Sequence, residues 1–442
     1  PVVGAAFIRD VGAGLTDAER AWCEERGLPL DGRTGPDAWA AAARDAAFKN
    51  MSRVIVLSRG ARQAPPRKAV RSDEIVWGRA PARLDLCGGW SDTPPYALEN
   101  GGSVLNAAVA LNGQPPIHAY ARVIPEPEIR LGSIDHGQRV VLRGLDELLD
   151  YKKPESAFGL AKAALALSGF SPEAADWPQG TSDLAGMLRV FGGGIEITTL
   201  AAIPSGSGLG TSSIMGAVLI AVLRRLMGRE LDRRELFHEV LRLEQELTTG
   251  GGWQDQVGGA VGGVKMITTA PGMVPDPRVH FVPADVLDPV LNGGRTLLYY
   301  TGLRRLAKNI LHDVVGRYLD RDRAAVATLR AIHAFPPRMA EALAAKDIAR
   351  FGGLVEAAWK LKKELDPDST NAVIESILDR ARPRLVGATL LGAGGGGFLL
   401  FVAGSAADAA AIRAGLESAP PNDRARFFDF RVNEDGMVVT AC

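Results

Sequence analysis

A run of glycine and hydroxyl residues is the most chemically suggestive segment of the sequence. Pro204 to Ser213 reads Pro-Ser-Gly-Ser-Gly-Leu-Gly-Thr-Ser-Ser, and it lies between a strand-like run ending at Leu200 and an apolar, helix-like run. Glycines let successive backbone N–H groups face one concavity, and the start of a helix adds partial positive charge, so this segment predicts a phosphate-binding loop. A hydroxyl of Thr211, Ser212 or Ser213 would then be placed to ligate Mg²⁺ on a bound nucleotide.

This loop follows neither of two common nucleotide-binding patterns. It lacks the lysine of the Gly-x-x-x-x-Gly-Lys-Ser/Thr loop, and it lacks the Gly-x-Gly-x-x-Gly spacing of dinucleotide folds. A glycine-rich turn that only caps a helix is the alternative interpretation. Because strand, glycines, hydroxyls and helix coincide, the pattern favours phosphate binding.

Composition excludes several classes of protein. The 442 residues carry 51 Lys and Arg and 51 Asp and Glu, so the net charge is zero, whereas a nucleic-acid binder or a peripheral membrane protein would carry a basic surplus. The longest apolar run, Gly216 to Leu223, is far shorter than the roughly 20 residues that span a bilayer. We therefore expect neither nucleic acid nor a membrane as a partner.

The cysteines and the first residue bear on context. Cys23, Cys87 and Cys442 are too few and too scattered for a disulfide framework or a metal site, which favours a reducing, cytoplasmic compartment. The chain begins at Pro1 without Met or a leader pattern, which predicts a piece of a longer protein.

The length predicts more than one domain. Residues 1–72 form an Ala- and Arg-rich extension or connector that ends in a segment of linker composition, and two domains are predicted at residues 73–270 and 271–442. Within the extension the predicted elements are helices at Asp17 to Arg26 and Ala38 to Arg44 and a strand at Ser52 to Leu57.

After the extension, the hydrophobic pattern alternates between strands and helices and predicts an α+β fold. The predicted strands are Ile75 to Trp77, Ser103 to Leu105, Ile117 to Val123, Arg139 to Leu142, Gly194 to Thr198 and Arg295 to Tyr300. The predicted helices are Ser212 to Gly228, Asp232 to Thr248, Leu303 to Asp320, Arg323 to Phe335 and Ala340 to Leu365.

Three ordered motifs resemble the superfamily of galactokinase, homoserine kinase, mevalonate kinase and phosphomevalonate kinase. Pro204 to Ser213 is similar to its phosphate loop, Ala80 to Tyr96 to its first, substrate-side motif, and Leu391 to Phe398 to its third, glycine-rich motif. The resemblance runs from about residue 77 to the C-terminus and does not cover residues 1–72. It implies a two-domain α+β kinase fold, with an additional N-terminal segment, that binds ATP and a small substrate between its domains.

The resemblance implies roles for particular residues. Asp255 would take the proton of the attacking sugar hydroxyl, and Arg83 would stabilise the charge that develops during transfer. Glu244, 11 residues before Asp255, would hold Mg²⁺ with Ser212. Each role has an alternative. Asp255 could be a solvated carboxylate in a turn, Arg83 an ordinary arginine at a strand end, and Glu244 a member of a surface ion pair. The residues implied to hold ATP are Asn106, Ser205, Gly206, Ser207, Gly208, Leu209, Gly210, Thr211, Ser212 and Ser213.

The first motif narrows the substrate. Galactokinases read Gly-Glu-His-Thr-Asp where this chain reads Gly-Gly-Trp-Ser-Asp, so a charged acceptor facing the sugar 6-hydroxyl is replaced by Gly89 and Trp90. Such a replacement favours a 6-deoxy sugar, whose methyl group needs an apolar contact. A packing role without sugar contact is the alternative for Trp90, and a turn residue for Asp92. The residues implied to hold the sugar are Gly89, Trp90, Asp92, Thr93 and Trp253.

The whole pattern most resembles the L-fucokinase branch, in which a guanylyltransferase region precedes the kinase. It implies ATP-dependent phosphorylation of the anomeric hydroxyl of L-fucose, feeding GDP-fucose salvage, with an upstream guanylyltransferase as covalent partner. Three alternatives stay open: a heptose 7-phosphate 1-kinase, a sensor that binds sugar and ATP without catalysis, and an assembly role for residues 1–72. The oligomeric state is not predicted.

Overall fold

The computed structural model describes residues 64–153, 156–230, 232–247, 251–304 and 307–442. The helices and the strand predicted within residues 1–63 lie outside the described residues. Within the described ranges, helices are interspersed with strands that form predominantly antiparallel sheets, which confirms the α+β prediction. None of the described helices is long and apolar enough to span a membrane.

One sheet carries the strand that leads into the glycine loop. Its order is β15-β1-β4-β7-β5-β6, and only the β5 and β7 pair is parallel. The strands are β1 (Val76–Ala80), β4 (Ile117–Ile124), β5 (Ile129–Ser133), β6 (Gln138–Leu142), β7 (Gly194–Ala201) and β15 (Val438–Ala441). The helices introduced before β7 are α1 (Tyr96–Asn100), α2 (Leu145–Leu149), α3 (Gly159–Leu167) and α4 (Leu184–Phe191).

Helix α5 (Thr211–Leu226) packs on this sheet and is buried along most of its length. Gly78 of β1 allows the close approach, since a Cβ at this position would lie 2.6 Å from a Val222 methyl group. Helix α6 (Arg233–Glu246) packs against α5, and the preceding Asp232 caps it by accepting a hydrogen bond from the Glu235 N–H. The two predicted helices here are therefore present with shorter bounds.

A second sheet holds the first motif. Its strands are β2 (Ala82–Cys87), β3 (Gly102–Leu111), β8 (Val264–Thr269), β9 (Arg278–Val282) and β14 (Phe430–Val432). Every residue of β2 is buried, and the short helix α7 (Gln254–Ala260) packs on β2 and β3. This arrangement brings the segments around Arg83 and Asp255 together although they are far apart in sequence.

A third sheet has the order β11-β12-β10-β13. Its strands are β10 (Thr296–Tyr300), β11 (Leu385–Leu390), β12 (Phe398–Ala403) and β13 (Arg426–Phe428). The helices around it are α8 (Ala307–Leu319), α9 (Arg323–His333), α10 (Pro336–Ala344), α11 (Ile348–Leu365), α12 (Ala372–Ala381) and α13 (Ala406–Ser418).

The single helix expected from Ala340 to Leu365 is wrong in one respect, because two helices occupy it. The chain turns at Lys346, which has a left-handed backbone with φ of 53°, and Asp347 then caps α11 by accepting from the Arg350 N–H. An aspartate that can cap a new helix gives the chain a local reason to turn here.

The C-terminal strands return to the sheets of the N-terminal half. β15 pairs with β1 and β14 pairs with β3, while β9, beyond the predicted boundary at residue 270, pairs with β8. The main hydrophobic core likewise joins residues from both halves, including Leu84, Val218, Phe351 and Phe398. The two halves therefore share a core.

Candidate active site

The glycine loop ends at the N-terminus of α5 and faces a cleft of about 400 Å³. Gly206, Gly208 and Gly210 have φ values of 68°, 78° and 73°, a region that L side chains rarely adopt. Thr211 to Ser213 line the cleft on the first turn of the helix. Backbone N–H groups, hydroxyls and the positive end of a 16-residue helix thus converge on one point, as phosphate binding requires.

Two of the expected loop residues occupy other places. Leu209 is fully buried beneath the loop, where its carbonyl accepts from the Arg83 N–H at 3.2 Å. Ser205 lines an adjoining pocket rather than the cleft itself. Asn106 is fully buried on β3 between Asp85 and Lys265, and it lines neither cavity.

Arg83 and Asp255 meet beside the loop. Arg83 Nε donates to Asp255 Oδ1 at 2.6 Å, and Arg83 also donates to the Gly208 carbonyl at 3.1 Å. Burial lowers the pKa of Arg83, but the negative charges of Asp255 and Asp85 outweigh the effect of burial. The pKa of Arg83 is therefore raised above its ordinary value. Arg83 is therefore a fixed cation that touches both the carboxylate and the phosphate loop.

Glu244 of α6 reaches the same cleft. It is buried, and Ser213 donates its hydroxyl hydrogen bond to Glu244 Oε1. Burial raises the pKa of Glu244 to about 8, with the charges of Asp255 and Asp92 adding to the rise and the Ser213 hydrogen bond opposing it. The structure thus pairs Glu244 with Ser213, whereas Ser212, the expected partner, is exposed at the cleft wall.

The donor set fits a hard divalent cation. Asp92, Glu244 and Asp255 line one cleft with the hydroxyls of α5, and oxygen atoms of this kind are the ligands that Mg²⁺ prefers. Among the described residues, however, no group of three acidic, His or Cys side chains is close enough to hold a metal alone. Mg²⁺ would therefore be held jointly with nucleotide phosphates. Glu246, two residues further along the chain, pairs with Lys152 at 2.6 Å.

Asp92 also lines the cleft and is buried. Its Oδ1 accepts from the Trp90 N–H and from Gln254 Nε2, both at 3.2 Å, and its Oδ2 accepts from the Gln254 N–H at 3.2 Å. Burial raises the pKa of Asp92 to about 7, the charge of Asp255 adds to the rise, and the bond from Gln254 opposes it. Gly252 is required here, since a Cβ would overlap Asp92 Oδ2.

Of the other residues expected at the sugar, Gly89, Trp90 and Thr93 line the cleft. Trp90 has a φ of 83° and belongs to a hydrophobic cluster that includes Tyr318 and other residues of the C-terminal helices. It is thus both a cleft residue and a packing residue. Trp253 is 2% exposed and does not line the cleft, so it packs beneath it.

A second pocket of about 370 Å³ adjoins the cleft at Gly206, Thr211 and Ser212. Its apolar wall includes Leu160 and Met215. The remaining described side chains with polar atoms on its wall are Ser133, Asp135, His136, Gln138, Thr199 and Ser205. Sequence reasoning missed this pocket because its residues come from segments without a shared motif.

The third motif closes the cleft from the C-terminal half. Gly392 and Ala393 line it, and a Cβ at Gly392 would lie 2.6 Å from the Gly208 Cα, so the third motif and the phosphate loop touch through their backbones. Sequence reasoning also missed Asp85, which lines the cleft, and Lys362 of α11, which contacts Asp85. The alternation of β2 signals Asp85, since it faces the same way as Arg83.

Family models match both halves of the chain. The GHMP kinases N terminal domain matches residues 182–263 and the GHMP kinases C terminal domain matches residues 339–422. The chain belongs to the GHMP kinases. The first match holds the phosphate loop, Glu244 and Asp255, and the second holds Lys362 and the third motif.

Two relatives of this GHMP kinase chain are longer proteins. It is 42% identical to an L-fucokinase/L-fucose-1-P guanylyltransferase of Bacteroides fragilis, over 86% of this chain and 40% of that protein. It is 34% identical to a bifunctional fucokinase/GDP-fucose pyrophosphorylase of Arabidopsis thaliana, over 76% of this chain and 30% of that protein. The chain thus spans well under half the length of these two relatives.

The fold is shared with solved sugar kinases. A D-glycero-D-manno-heptose 1-phosphate kinase from Bacteroides thetaiotaomicron superposes with a TM-score of 0.61 at 20% identity, covering 83% of this chain and 98% of that one. The α+β kinase fold predicted for this GHMP kinase is therefore confirmed.

Proposed function

We propose that this chain transfers the γ-phosphoryl group of ATP to the anomeric hydroxyl of L-fucose, giving L-fucose 1-phosphate and ADP. The observation that carries the proposal is the contact of Arg83 with Asp255 between the phosphate loop and Asp92. The 42% identity to a relative named as an L-fucokinase supports the choice of sugar.

In this proposal, Asp255 accepts the proton of the sugar hydroxyl as it attacks the phosphorus, and Arg83 keeps Asp255 ionised and stabilises the transferring group. The loop from Gly206 to Ser213 binds the phosphates of ATP, and the pocket beside the loop binds the adenine base of ATP. Glu244 and Ser213, with Ser212 nearby, would hold Mg²⁺, which neutralises phosphate charge when bound.

On the sugar side, Asp92 accepts a hydrogen bond from a ring hydroxyl, and Trp90 covers the sugar with an apolar surface. This surface suits the methyl group of a 6-deoxy sugar better than a 6-hydroxyl. We propose an upstream guanylyltransferase region as the covalent partner. The name of the Bacteroides fragilis relative, an L-fucokinase/L-fucose-1-P guanylyltransferase, supports a linked region of this kind. The compartment proposed is the cytoplasm.

The experiment is ADP release with Mg·ATP against L-fucose, D-galactose, D-arabinose and D-glycero-D-manno-heptose 7-phosphate. We expect turnover with L-fucose and little with galactose. Preference for the heptose phosphate would move the chain to a heptose kinase function while leaving the mechanism in place. A folded chain that releases no ADP with any sugar would refute the kinase proposal and favour a sensor.

A further inference from the structure

Lys362 reaches from helix α11 of the C-terminal half into the centre of the molecule. Its Nζ donates to the carbonyl oxygens of Leu390 and Gly392, both at 3.1 Å, and lies 3.5 Å from Asp85 Oδ2 on β2. The Lys362 and Asp85 side chains are only 10% and 3% exposed. One ammonium group thus ties the third motif to the strand that carries Arg83.

Asp85 is built into the wall of the cleft. It lines the cleft, and its Oδ1 is buried with no hydrogen-bond partner among the described residues. Its Oδ2 lies beneath Gly89, where a Cβ would be only 2.5 Å away. The carboxylate therefore occupies the space that a side chain at position 89 would need, which gives a structural reason for glycine there.

The cost of this arrangement suggests a purpose beyond stability. Removing two charges from water is unfavourable, and a buried ion pair often stabilises a fold no better than apolar side chains of the same size. What the pair does provide is a defined position. Gly392 contacts Gly208 of the phosphate loop, and Asp85 faces the same way as Arg83 on β2, so both ends of the pair adjoin the reacting groups.

We propose that Asp85 and Lys362 are positioning residues, which hold the third motif against the phosphate loop and Arg83 in the geometry needed for transfer. This proposal rests on the proposed kinase function. Neither residue takes or gives a proton. Displacement of reacting groups by about 1 Å can lower a rate by about 10²-fold, so loss of the pair acts on turnover more than on substrate binding.

The test compares Asp85→Asn, Lys362→Met and the double variant in the ADP-release assay with L-fucose. Each single change should lower kcat by about 10²-fold, with smaller changes in the KM values for ATP and sugar. The double variant should be no slower than the slower single variant, because the two residues act as one unit. Lys363→Met is the matched control, since Lys363 is the next residue on α11 and pairs with the part-exposed Glu375.

Hydrogen exchange of the backbone at residues 390–397 provides a readout that needs no turnover. Both single variants should exchange faster there than the wild-type chain, and Lys363→Met should not. Independent effects that multiply in the double variant, or unchanged kcat and exchange in Asp85→Asn, would overturn the proposal. Asp85→Asn keeps the size of the side chain, so it serves if Lys362→Met fails to fold. A wild-type chain that is inactive on every sugar would refute the kinase function. Hydrogen exchange would still test whether Asp85 and Lys362 hold the third motif in place.

Discussion

Replacing Asp255 with asparagine is the most direct test of the site. Asparagine keeps the size of the side chain and retains an oxygen that can accept from Arg83 Nε, which lies 2.6 Å from Asp255 Oδ1 in the wild-type chain. It removes the negative charge and the ability to accept a proton. The change should therefore leave the cleft and the phosphate loop in place while it removes the proposed base.

The expected loss follows from the role of the group. A positioned base contributes about 10² to 10⁴ in rate, which corresponds to about 2.7 to 5.4 kcal/mol of transition-state stabilisation. Arg83 is 4% exposed and keeps the Gly208 carbonyl as a second acceptor, so we do not expect it to leave the site. The effect should therefore appear in kcat, with ATP affinity largely retained.

The assay is ADP release with L-fucose and Mg·ATP, combined with ATP binding by isothermal titration calorimetry. Asp276→Asn is the matched control, because it makes the same chemical change at a largely exposed ion pair with Arg234. Near-normal turnover in Asp255→Asn would refute direct proton transfer to Asp255. Loss of ATP binding together with turnover would instead assign Asp255 to the nucleotide site.

Four other predictions concern the cleft and the adjoining pocket. The kcat/KM for the sugar should fall about tenfold per pH unit below pH 7. Burial raises the pKa of Asp92 to about 7, and only its ionised form accepts the hydrogen bond of the sugar hydroxyl without giving up an acceptor. The Asp92→Asn variant should therefore lose this decrease at low pH. Thermal unfolding should show the opposite trend, since a raised carboxyl pKa contributes stability that is present at low pH and lost as pH rises through about 7. Gly252→Ala should abolish sugar-dependent ADP release because a Cβ overlaps Asp92, whereas Gly353→Ala, which meets no atom within 4 Å, should retain it. Leu160→Ala should raise the KM for ATP about tenfold through lost apolar contact and leave the KM for sugar unchanged, as steady-state kinetics would show.

Motifs with local causes were predictable. The glycine loop, the apolar helix after it and the hydroxyls on its first turn depend on residues that are adjacent in sequence, so backbone freedom and helix geometry already determine their arrangement. The family follows from the order of three such motifs, and the matching family models confirm it. Roles assigned to single residues, such as Ser212 at a metal, remain predictions.

Other features depended on where distant segments meet. Pairing of β2 with β3, and packing of α7 on both, decides that Arg83 contacts Asp255, and the meeting of α5 with α6 decides that Glu244 faces Ser213. No local pattern indicated that Lys362 reaches Asp85, 277 residues away.

Sequence by itself determined the chemistry available to this protein: a phosphate loop, a basic residue and several carboxylates in a family order. Only tertiary structure decided which of these groups are buried together, because burial and charge proximity depend on contacts between elements rather than on their composition. That is why the raised pKa values of Asp92 and Glu244, the adjoining pocket and the Asp85–Lys362 pair emerge only after folding.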